Sequence, residues 1–503
     1  MDRRAFLTGT AAGSVLWALG CRGAPVARPV ALENRGEVRS WLHDAVARVA
    51  AAMPAAHVQA LATTRWRVTA AVDVLGDGVS RARADGVVIV VRDATGAFRE
   101  QVSSELTQAG VAAAAATLAG KSAAAPNGLE FGAPQVAPPL TGVDPRGISD
   151  AELILRVRRM LGSDPEVSSR IVYTVASIDV DDAHVWSVAA APVRPPDRRH
   201  GAASPTRPPI VDREQRLVRV RRAVTRVAWN GTRPVVSEAS RGWTGGLDDG
   251  TLPLADISAA TDAALELMTP GAFTDGARAV SLDPSVTALV VDTATRALLT
   301  GAAARLPEVA RRLAVGAAVA SPLLTLVDDP TAAGAYGGFH FDDEGVAAAP
   351  VILLDRGVLA GRLDDRATGA GGRGRRPGHV GRVEPWPSHL ELAPGVARLD
   401  GLLADGIELA GGVDAVLDPS SDRIVVSVAR AYEIQGGHRT GRVFADVELV
   451  GDLAELLAGV SAVASEPRTF ARRDEVDGLP RWRSIATPGV VTHGLVRARR
   501  RVA

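Results

Sequence analysis

The sequence predicts an α+β protein: an N-terminal α/β region with helices and antiparallel hairpins, followed by a C-terminal, mainly antiparallel β domain. Three observations lead to this fold class. Apolar residues recur at helical spacing in several segments of the first half. Short β-branched runs separated by glycine and aspartate dominate the second half. The chain has 503 residues, 47% of them hydrophobic, which is enough for two or three domains with sizeable cores.

The first half is expected to alternate helices and strands. Helices are predicted over 36–53, 103–119, 149–161 and 256–268. The second of these has serines at its start that could cap it, and Ser149 and Glu152 open the third with capping-box spacing. Strands are predicted over 65–74 and 86–93.

Four hairpins and one further helix complete the expected elements. Two hairpins of the first half are predicted to turn at Asp181-Asp182 and at Asn230-Gly231, the latter a dipeptide suited to left-handed backbone angles. In the second half, 351–363 should turn at Asp355-Arg356-Gly357 and 423–449 near Gly436-Gly437. An amphipathic helix is predicted over 451–464.

The chain divides into three predicted parts: a leader over 1–30, an N-terminal α+β domain over 31–270, and a C-terminal mainly β domain over 271–503. Pro270-Gly271 marks the boundary between the two domains. A proline- and arginine-rich insert near 191–212 is expected to form a loop of the first domain.

The N-terminus is typical of an export signal. Arg3 and Arg4 precede an apolar run that is too short to span a bilayer, and the twin arginines indicate the Tat route. The run ends in an imperfect lipobox at Cys21, so the protein is predicted to be periplasmic or a membrane-anchored lipoprotein. An apolar but ordinary cytosolic N-terminus is the alternative.

Charge and cysteine content exclude several classes. Lys plus Arg and Asp plus Glu both number 57, so the net charge of zero gives no support to nucleic-acid binding. Cys21 is the single cysteine, which excludes an internal disulfide and a thiolate metal cluster.

Three segments of the second half, in order, resemble the TldD/PmbA family. They are "SPLLTLVDDP…FHFDDEGVAAAPVILLDRGVLAGRLDDRATG" (321–369), "GRGRRPGHVGRVEPWPSHLELAPG" (372–395) and "ARAYEIQGGHRTGRVFADVELVGDLAELLAGVSAVA" (429–464). The resemblance implies a two-domain metallopeptidase-like fold and dimers. It also implies that one kind of subunit carries an H-E-x-x-x-H helix and a later cysteine as zinc ligands, while the other kind lacks that site and pairs with the first.

The zinc ligands that the resemblance implies are missing from this sequence. Asp292 stands at the first histidine's place, Thr293 at the glutamate's and Ala297 at the second histidine's, while Gly478 is the nearest match to the cysteine. Since a lone carboxylate does not replace a site of two nitrogens and one sulfur, no metal site, no cofactor and no catalytic residue are predicted.

The acidic turn "FHFDDEG" (339–345) has two interpretations. His340 and Asp342 can share one face of a strand while Asp343 takes the other, and Glu344 suits the turn before Gly345. The set is interpreted as structural or cleft-lining; an independent metal site is the alternative.

Other candidate cleft residues also have two interpretations each. Arg375 and Arg376 either clamp a substrate carboxylate or lie on a solvated loop. Trp386 either lines a groove or packs in the core. Ser388 and His389 are adjacent, which disfavours a nucleophile–base pair, and no G-x-S-x-G elbow accompanies them.

The sequence therefore predicts a TldD/PmbA-like protein without its own zinc site. It would act as a partner subunit, in a homodimer or in a heterodimer with a zinc-bearing paralogue, or as a peptide- or protein-binding pseudo-protease. An active metallopeptidase with ligands drawn from His340, Asp342, Asp343 or His389 is one alternative, and a structural envelope protein is another.

Overall fold

The computed structural model describes residues 35–54, 56–93, 98–119, 134–161, 170–190, 211–369, 371–377, 381–476 and 479–499. The predicted leader with Cys21, most of the insert near 191–212, and Gly478 lie outside the described residues. No helix in the described ranges has both the length and the apolar character needed to cross a lipid bilayer.

The first half is one seven-stranded sheet with helices on one side. The strands are β1 (His57–Asp73), β2 (Gly76–Arg92), β3 (Phe98–Ser103), β4 (Gln135–Val136), β5 (Ile171–Ala190), β6 (Val211–Trp229) and β7 (Pro234–Thr244). Their order is β3-β2-β1-β5-β6-β4, and β7 also pairs with β6. The helices are α1 (Arg35–Ala52), α2 (Gln108–Ala119), α3 (Asp150–Leu161) and α4 (Leu254–Glu266).

The two faces of this sheet differ in chemistry, because alternate residues of a strand point to opposite sides. On β1, Val58, Ala60 and Ala62 pack with α1 and α2 in an apolar core. The intervening residues of the same strand include Gln59, Thr63 and Arg65, which are also buried. This polar face is covered by the second half of the chain, through hydrogen bonds such as Gln59 Nε2 to the Asp343 carbonyl (3.3 Å).

The second half is built on two six-stranded sheets around a central helix. The helices are α5 (Pro284–Leu298), α6 (Pro307–Arg312) and α7 (Leu453–Ala458). The strands are β8 (Gly276–Leu282), β9 (Leu326–Asp328), β10 (Val351–Asp355), β11 (Val358–Leu359), β12 (Gly374–Arg375), β13 (Glu384–Pro385), β14 (His389–Leu392), β15 (Gly406–Asp418), β16 (Arg423–Gln435), β17 (His438–Asp452), β18 (Ala462–Val463), β19 (Arg468–Val476), β20 (Leu479–Thr487) and β21 (Val490–Ala498).

The topology encloses α5 between these sheets. One sheet has the order β11-β10-β9-β14-β20-β19, and the other β17-β16-β15-β8-β21-β18. A further pairing of β17 with β21 closes five strands of the second sheet into a ring. Apolar residues of α5 and both sheets form one core, and β12 and β13 make a separate two-stranded ribbon beside it. The predicted α+β fold class is confirmed.

Three hairpin turns are confirmed. The loop 230–233 joins β6 to β7, with Asn230 Oδ1 accepting from the Arg233 N–H at 2.9 Å. Arg356 and Gly357 have φ of 46° and 81°, and Gly436 and Gly437 have φ of 56° and 82°. Both pairs therefore make tight two-residue connections with left-handed angles.

Three predictions of local structure were wrong. Asp181-Asp182 is not a turn: β5 runs through it, because arginines of the neighbouring strands neutralise both carboxylates. Helix α2 begins at 108 instead of 103, since 98–103 pairs with β2 and Thr107 caps the Gly110 N–H. The helix predicted over 451–464 is limited to α7, because residues 462–463 pair with β21.

Candidate functional site

Helix α5 presents the positions at which a metal centre is expected. Asp283 caps it by accepting a hydrogen bond from the Val286 N–H at 2.8 Å, and Pro284 occupies the first turn. Asp292 and Thr293 are buried and Ala297 is half-buried. The helix thus holds Asp292 in the interior, facing β20.

Asp292 is bound by an arginine of β20. Arg483 donates from Nε to Oδ1 at 2.5 Å and from Nη2 to Oδ2 at 2.7 Å, a bidentate pair in which both residues are only 3% exposed. Arg296, one turn along α5, adds a contact from Nε to Oδ2 at 3.3 Å. The remaining Nη1 of Arg483 pairs with Asp474 on β19. Both carboxylate oxygens of Asp292 are therefore occupied by guanidinium groups.

Trp386 forms the wall of this site. The guanidinium carbons of Arg481, Arg483 and Arg296 lie 4.6, 5.4 and 5.7 Å from the centre of its ring. Trp386 is half-buried, so the ring neither belongs wholly to the core nor stands free in solvent. The surroundings of Asp292 are cationic and aromatic, which is the opposite of a pocket that attracts a metal ion.

The residues of α5 do not fit a zinc ion. Thr293 and Ala297 supply no imidazole, and Asp292 would have to release Arg483 before it could ligate a metal. Gly478 lies outside the described residues. In the part of the chain that the structure describes, no group of three or more His, Cys, Asp or Glu side chains could hold a metal ion.

The acidic turn lies on the polar face of the N-terminal sheet, where main-chain N–H groups satisfy Asp342. Oδ1 of Asp342 accepts from the N–H groups of Glu344 (3.0 Å) and Val346 (2.8 Å). Oδ2 accepts from those of Gly372 (2.9 Å) and Gly374 (3.0 Å). This one carboxyl therefore ties the turn to the segment that leads into β12.

Asp343 and Glu344 are also bound by neighbouring groups. Asp343 accepts from the Arg376 N–H at 2.7 Å and lies 3.3 Å from Nε of Arg375. Glu344 accepts from the Arg366 N–H and forms an ion pair with Arg92 of β2 at 3.1 Å. The acidic residues of the turn thus join loops of the second half to each other and to the first sheet.

Main-chain groups of the turn are held by the N-terminal sheet as well. Gln215 of β6 donates to the Phe341 carbonyl at 2.9 Å and accepts from the His340 N–H at 2.8 Å. The His340 side chain itself is exposed. The turn is therefore a docking segment between the two halves.

Burial shifts the pKa values of three candidate residues. It lowers the pKa of His389, and it raises the pKa of Glu344. Burial also raises the pKa of Asp342 to about 7, against the opposing effect of the N–H groups of Val346 and Gly374.

The remaining candidates lie within the buried framework of the second half. Asp328 accepts from Nε of Arg373, from both Oγ and N–H of Ser388, and from the His389 N–H. His389 Nδ1 hydrogen-bonds Ser484 Oγ at 2.8 Å. Ser388 and His389 therefore do not contact each other as nucleophile and base.

Arg375 and Arg376 lie in the same region but have different partners. Arg376 forms an ion pair with Glu100 of β3 at 2.9 Å and is 3% exposed, so it is not on a solvated loop. Arg375 stacks on Phe339, with its guanidinium carbon 4.6 Å from the ring centre.

Sequence reasoning missed Arg483 and the arginines of the first sheet. The signal was present in "RWR" (481–483) and "RWR" (65–67), where arginine alternates with tryptophan inside a strand. In β20 this alternation directs Arg481 and Arg483 toward α5 and Trp482 toward the first sheet, where it stacks on Arg65 and Arg219.

The second half of the chain is similar in sequence to known proteins. Residues 275–498 match the sequence profile of a family described as the PmbA/TldA metallopeptidase C-terminal domain. A metalloprotease of Methanocaldococcus jannaschii is 31% identical over 164 residues, which cover 30% of this chain and 35% of that protein. A TldD metalloprotease homologue of Haemophilus influenzae is 30% identical over 161 residues, covering 30% and 33%.

Two solved structures share the fold over most of the chain. A Bacteroides thetaiotaomicron protein described as a candidate modulator of DNA gyrase superposes with a TM-score of 0.68 at 16% identity, covering 93% of this chain and 99% of its own. TldE from Thermococcus kodakarensis gives 0.60 at 16% identity, covering 88% and 97%.

The second half is thus similar in sequence, and the described chain similar in fold, to proteins of the TldD/PmbA type. The matched segment spans about a third of the length of these metalloprotease relatives.

Proposed function

We propose that this TldD/PmbA-type protein has no zinc centre of its own and serves as the non-hydrolytic, peptide-binding subunit of a complex with a zinc-bearing paralogue. The partnership is suggested by the two-subunit character of the family and by the similarity in fold to TldE. A homodimer with the same binding role is the simpler form of this proposal.

The observation that carries the proposal is the Asp292–Arg483 pair. A zinc ion at α5 would displace a guanidinium that is 3% exposed and leave it with Asp474 as its remaining carboxylate partner. Removing one partner of a buried ion pair costs several kcal/mol, and here the Arg483 guanidinium would lose Asp292. Zinc would have to offset that cost through a single carboxylate ligand. The positive charge that a metal would supply at this place is provided by Arg483 itself.

The relocated-ligand alternative has less support. Asp342 accepts four main-chain hydrogen bonds, and Asp343, Glu344 and His389 each have partners. Recruiting any of them for a metal would break contacts within the second half and, for Glu344, its ion pair with Arg92 of the first sheet. His340 is exposed, and in the described ranges it belongs to no group of three or more His, Cys, Asp or Glu side chains that could hold a metal ion.

Peptidase assays on separate and mixed subunits test the proposal. The purified chain alone should leave casein and short peptides intact at every zinc concentration. Mixed with a zinc-bearing paralogue, it should raise peptide hydrolysis that depends on the paralogue's glutamate base. Chelator-sensitive hydrolysis by this chain alone, lost on Asp342→Ala and retained on Asp292→Asn, would establish the relocated site instead.

We also propose that the protein is exported by its Tat-like leader and is retained as a lipoprotein through Cys21. Changing Arg3 and Arg4 together to lysine should leave the protein in the cytoplasm. Cys21→Ala should move it from the membrane fraction to the soluble periplasmic fraction. Unchanged fractionation of both variants would contradict the proposal.

A further inference from the structure

Arg481 and Arg483 form a first arginine cluster on one face of β20, beside Trp386. A second arginine cluster lies on the opposite face of β20, between the first sheet and the second half. We define the guanidinium cluster as Arg65 on β1, Arg219 on β6 and Arg375 on β12. The guanidinium carbons of Arg65 and Arg219 lie 4.5 and 4.6 Å from the ring centre of Trp482. Asp181 of β5 lies beside both arginines, with Oδ1 3.5 Å from Arg65 Nε and 4.0 Å from Arg219 Nη1.

The cluster contains buried polar atoms that lack hydrogen bonds. Arg219, 1% exposed, is fixed by donating to the carbonyls of Tyr336 (3.0 Å) and Gly338 (3.2 Å). Its Nη1 has no hydrogen-bond partner among the described residues, and the same holds for Arg65 Nε, Arg375 Nη1 and both carboxylate oxygens of Asp181. Because leaving such atoms unpaired is costly, the cluster is suited to receive a bound group.

Positive charge is in excess at this place. Asp181 and Asp343 are the carboxylates beside the three guanidinium groups, and Asp343 already accepts from the Arg376 N–H. Burial, reinforced by Arg375, lowers the pKa of Arg219 to about 9. Arg65 and Arg219 are buried, and the cluster comes nearest to the surface at Arg375, whose side chain is 12% exposed.

The missing group should be a monovalent, planar anion. A carboxylate matches the fork of a guanidinium and would take the free donors of Arg219 and Arg375. Asp181 and Asp343 disfavour a doubly charged phosphate or sulfate. Oδ1 of Asp181 faces Arg65 and Arg219, but its Oδ2 can in addition accept an N–H, which the last amide of a peptide supplies and a simple acid does not.

We infer that the guanidinium cluster is a binding site for a carboxylate, and that the carboxyl terminus of a peptide is its preferred source. The main chain of such a peptide would enter between the polar face of the first sheet and β20. This inference does not depend on the fate of the zinc site, because the two arginine clusters lie on opposite faces of β20.

Calorimetric titration of the full chain at constant ionic strength tests the inference. The probes are acetate, N-acetylglycine, its amide N-acetylglycinamide, and sulfate. Both carboxylates should bind, and sulfate and the amide should not. Stronger binding of N-acetylglycine than of acetate identifies a peptide terminus as the source, and equal binding identifies a free acid.

Arg375→Gln is the test variant, because Arg65 and Arg219 are buried more deeply and their loss endangers folding. It should weaken carboxylate binding by roughly tenfold to a hundredfold. Arg221→Gln is the matched control. Arg221 lies on the same face of β6 as Arg219, and its substitution removes the same charge as Arg375→Gln. Arg221 has its own partner, however, in Glu238 at 2.5 Å. Circular dichroism and zinc content are measured on each sample, so that unfolding and metal binding are scored separately.

Two results would overturn the inference. One is that neither carboxylate binds the wild-type chain more tightly than N-acetylglycinamide does. The other is that Arg375→Gln, folded like the wild type, binds acetate and N-acetylglycine as tightly as Arg221→Gln.

Discussion

Asp292 and Asp342 are both buried carboxyls of the second half, and they are satisfied in different ways. Asp292 is bound by the side chains of Arg483 and Arg296. Asp342 is bound by four main-chain N–H groups from 344, 346, 372 and 374. The environment of Asp292 therefore depends on which side chains are present, and that of Asp342 on the path of the backbone.

The two environments differ in what a single substitution can change. The environment of Asp292 changes when one side chain changes, because α5 and β20 are positioned by their apolar core. The environment of Asp342 cannot change without moving the loops around it. Chemistry at α5 is therefore replaceable, whereas the acidic turn is part of the architecture.

The largest expected effect is on the Asp292–Arg483 pair. Arg483→Met leaves Asp292 buried beside Arg296 alone, and we expect the free energy of unfolding to fall by about 4 kcal/mol. Urea denaturation measures it. The control is the double variant Asp292→Leu/Arg483→Met, which should recover most of the loss because no buried charge remains. A single variant as stable as the wild type would show that the pair does not matter.

Asp342→Ala tests the other environment. Removing the carboxyl leaves four main-chain N–H groups without their acceptor, and we expect a loss of about 3 kcal/mol. Unlike the Asp292 case, no second substitution of a side chain should restore stability, since the donors belong to the backbone. Hydrogen exchange at 344, 346, 372 and 374 locates the effect, and protection unchanged from the wild type would contradict it.

Acid should destabilise the folded protein through His57, the first residue of β1. Burial, with Arg366 and Arg92 nearby, lowers the pKa of His57 to about 4. In the unfolded chain the His57 imidazole binds a proton near pH 6.5, whereas in the folded protein it binds one only near pH 4. Stability is therefore lost as pH falls from 6.5 toward 4. Between pH 7 and 4.5 the free energy of unfolding of His57→Gln should fall by about 2 kcal/mol less than that of the wild type, after allowance for partial exposure. Urea denaturation across this pH range measures the difference. Parallel pH profiles would refute this assignment.

The smallest effect is expected at His340. Its side chain is exposed, and its main-chain N–H bonds Gln215 whatever the side chain. His340→Ala should change the free energy of unfolding by less than about 0.5 kcal/mol and leave any peptidase activity of a complex unchanged. A large fall in activity would move the catalytic assignment to the acidic turn.

Local patterns in the sequence predicted the fold better than the site. The turns at Arg356-Gly357 and Gly436-Gly437 follow from residues adjacent in the chain. Asp181-Asp182 was misread as a turn because its arginine partners come from β1 and β6. The Asp292–Arg483 pair joins residues 191 positions apart, so the alternation at 481–483 indicates the face on which Arg483 lies but not its partner.

Zinc content is the measurement that tests the central claim most directly. The chain is purified without chelator from cells grown with zinc, and metal per chain is determined by plasma mass spectrometry. With Arg483 holding Asp292, we expect less than about 0.1 zinc per chain, and the same value for Asp292→Asn. About one tightly held zinc per chain, lost on Asp292→Asn, would contradict the account.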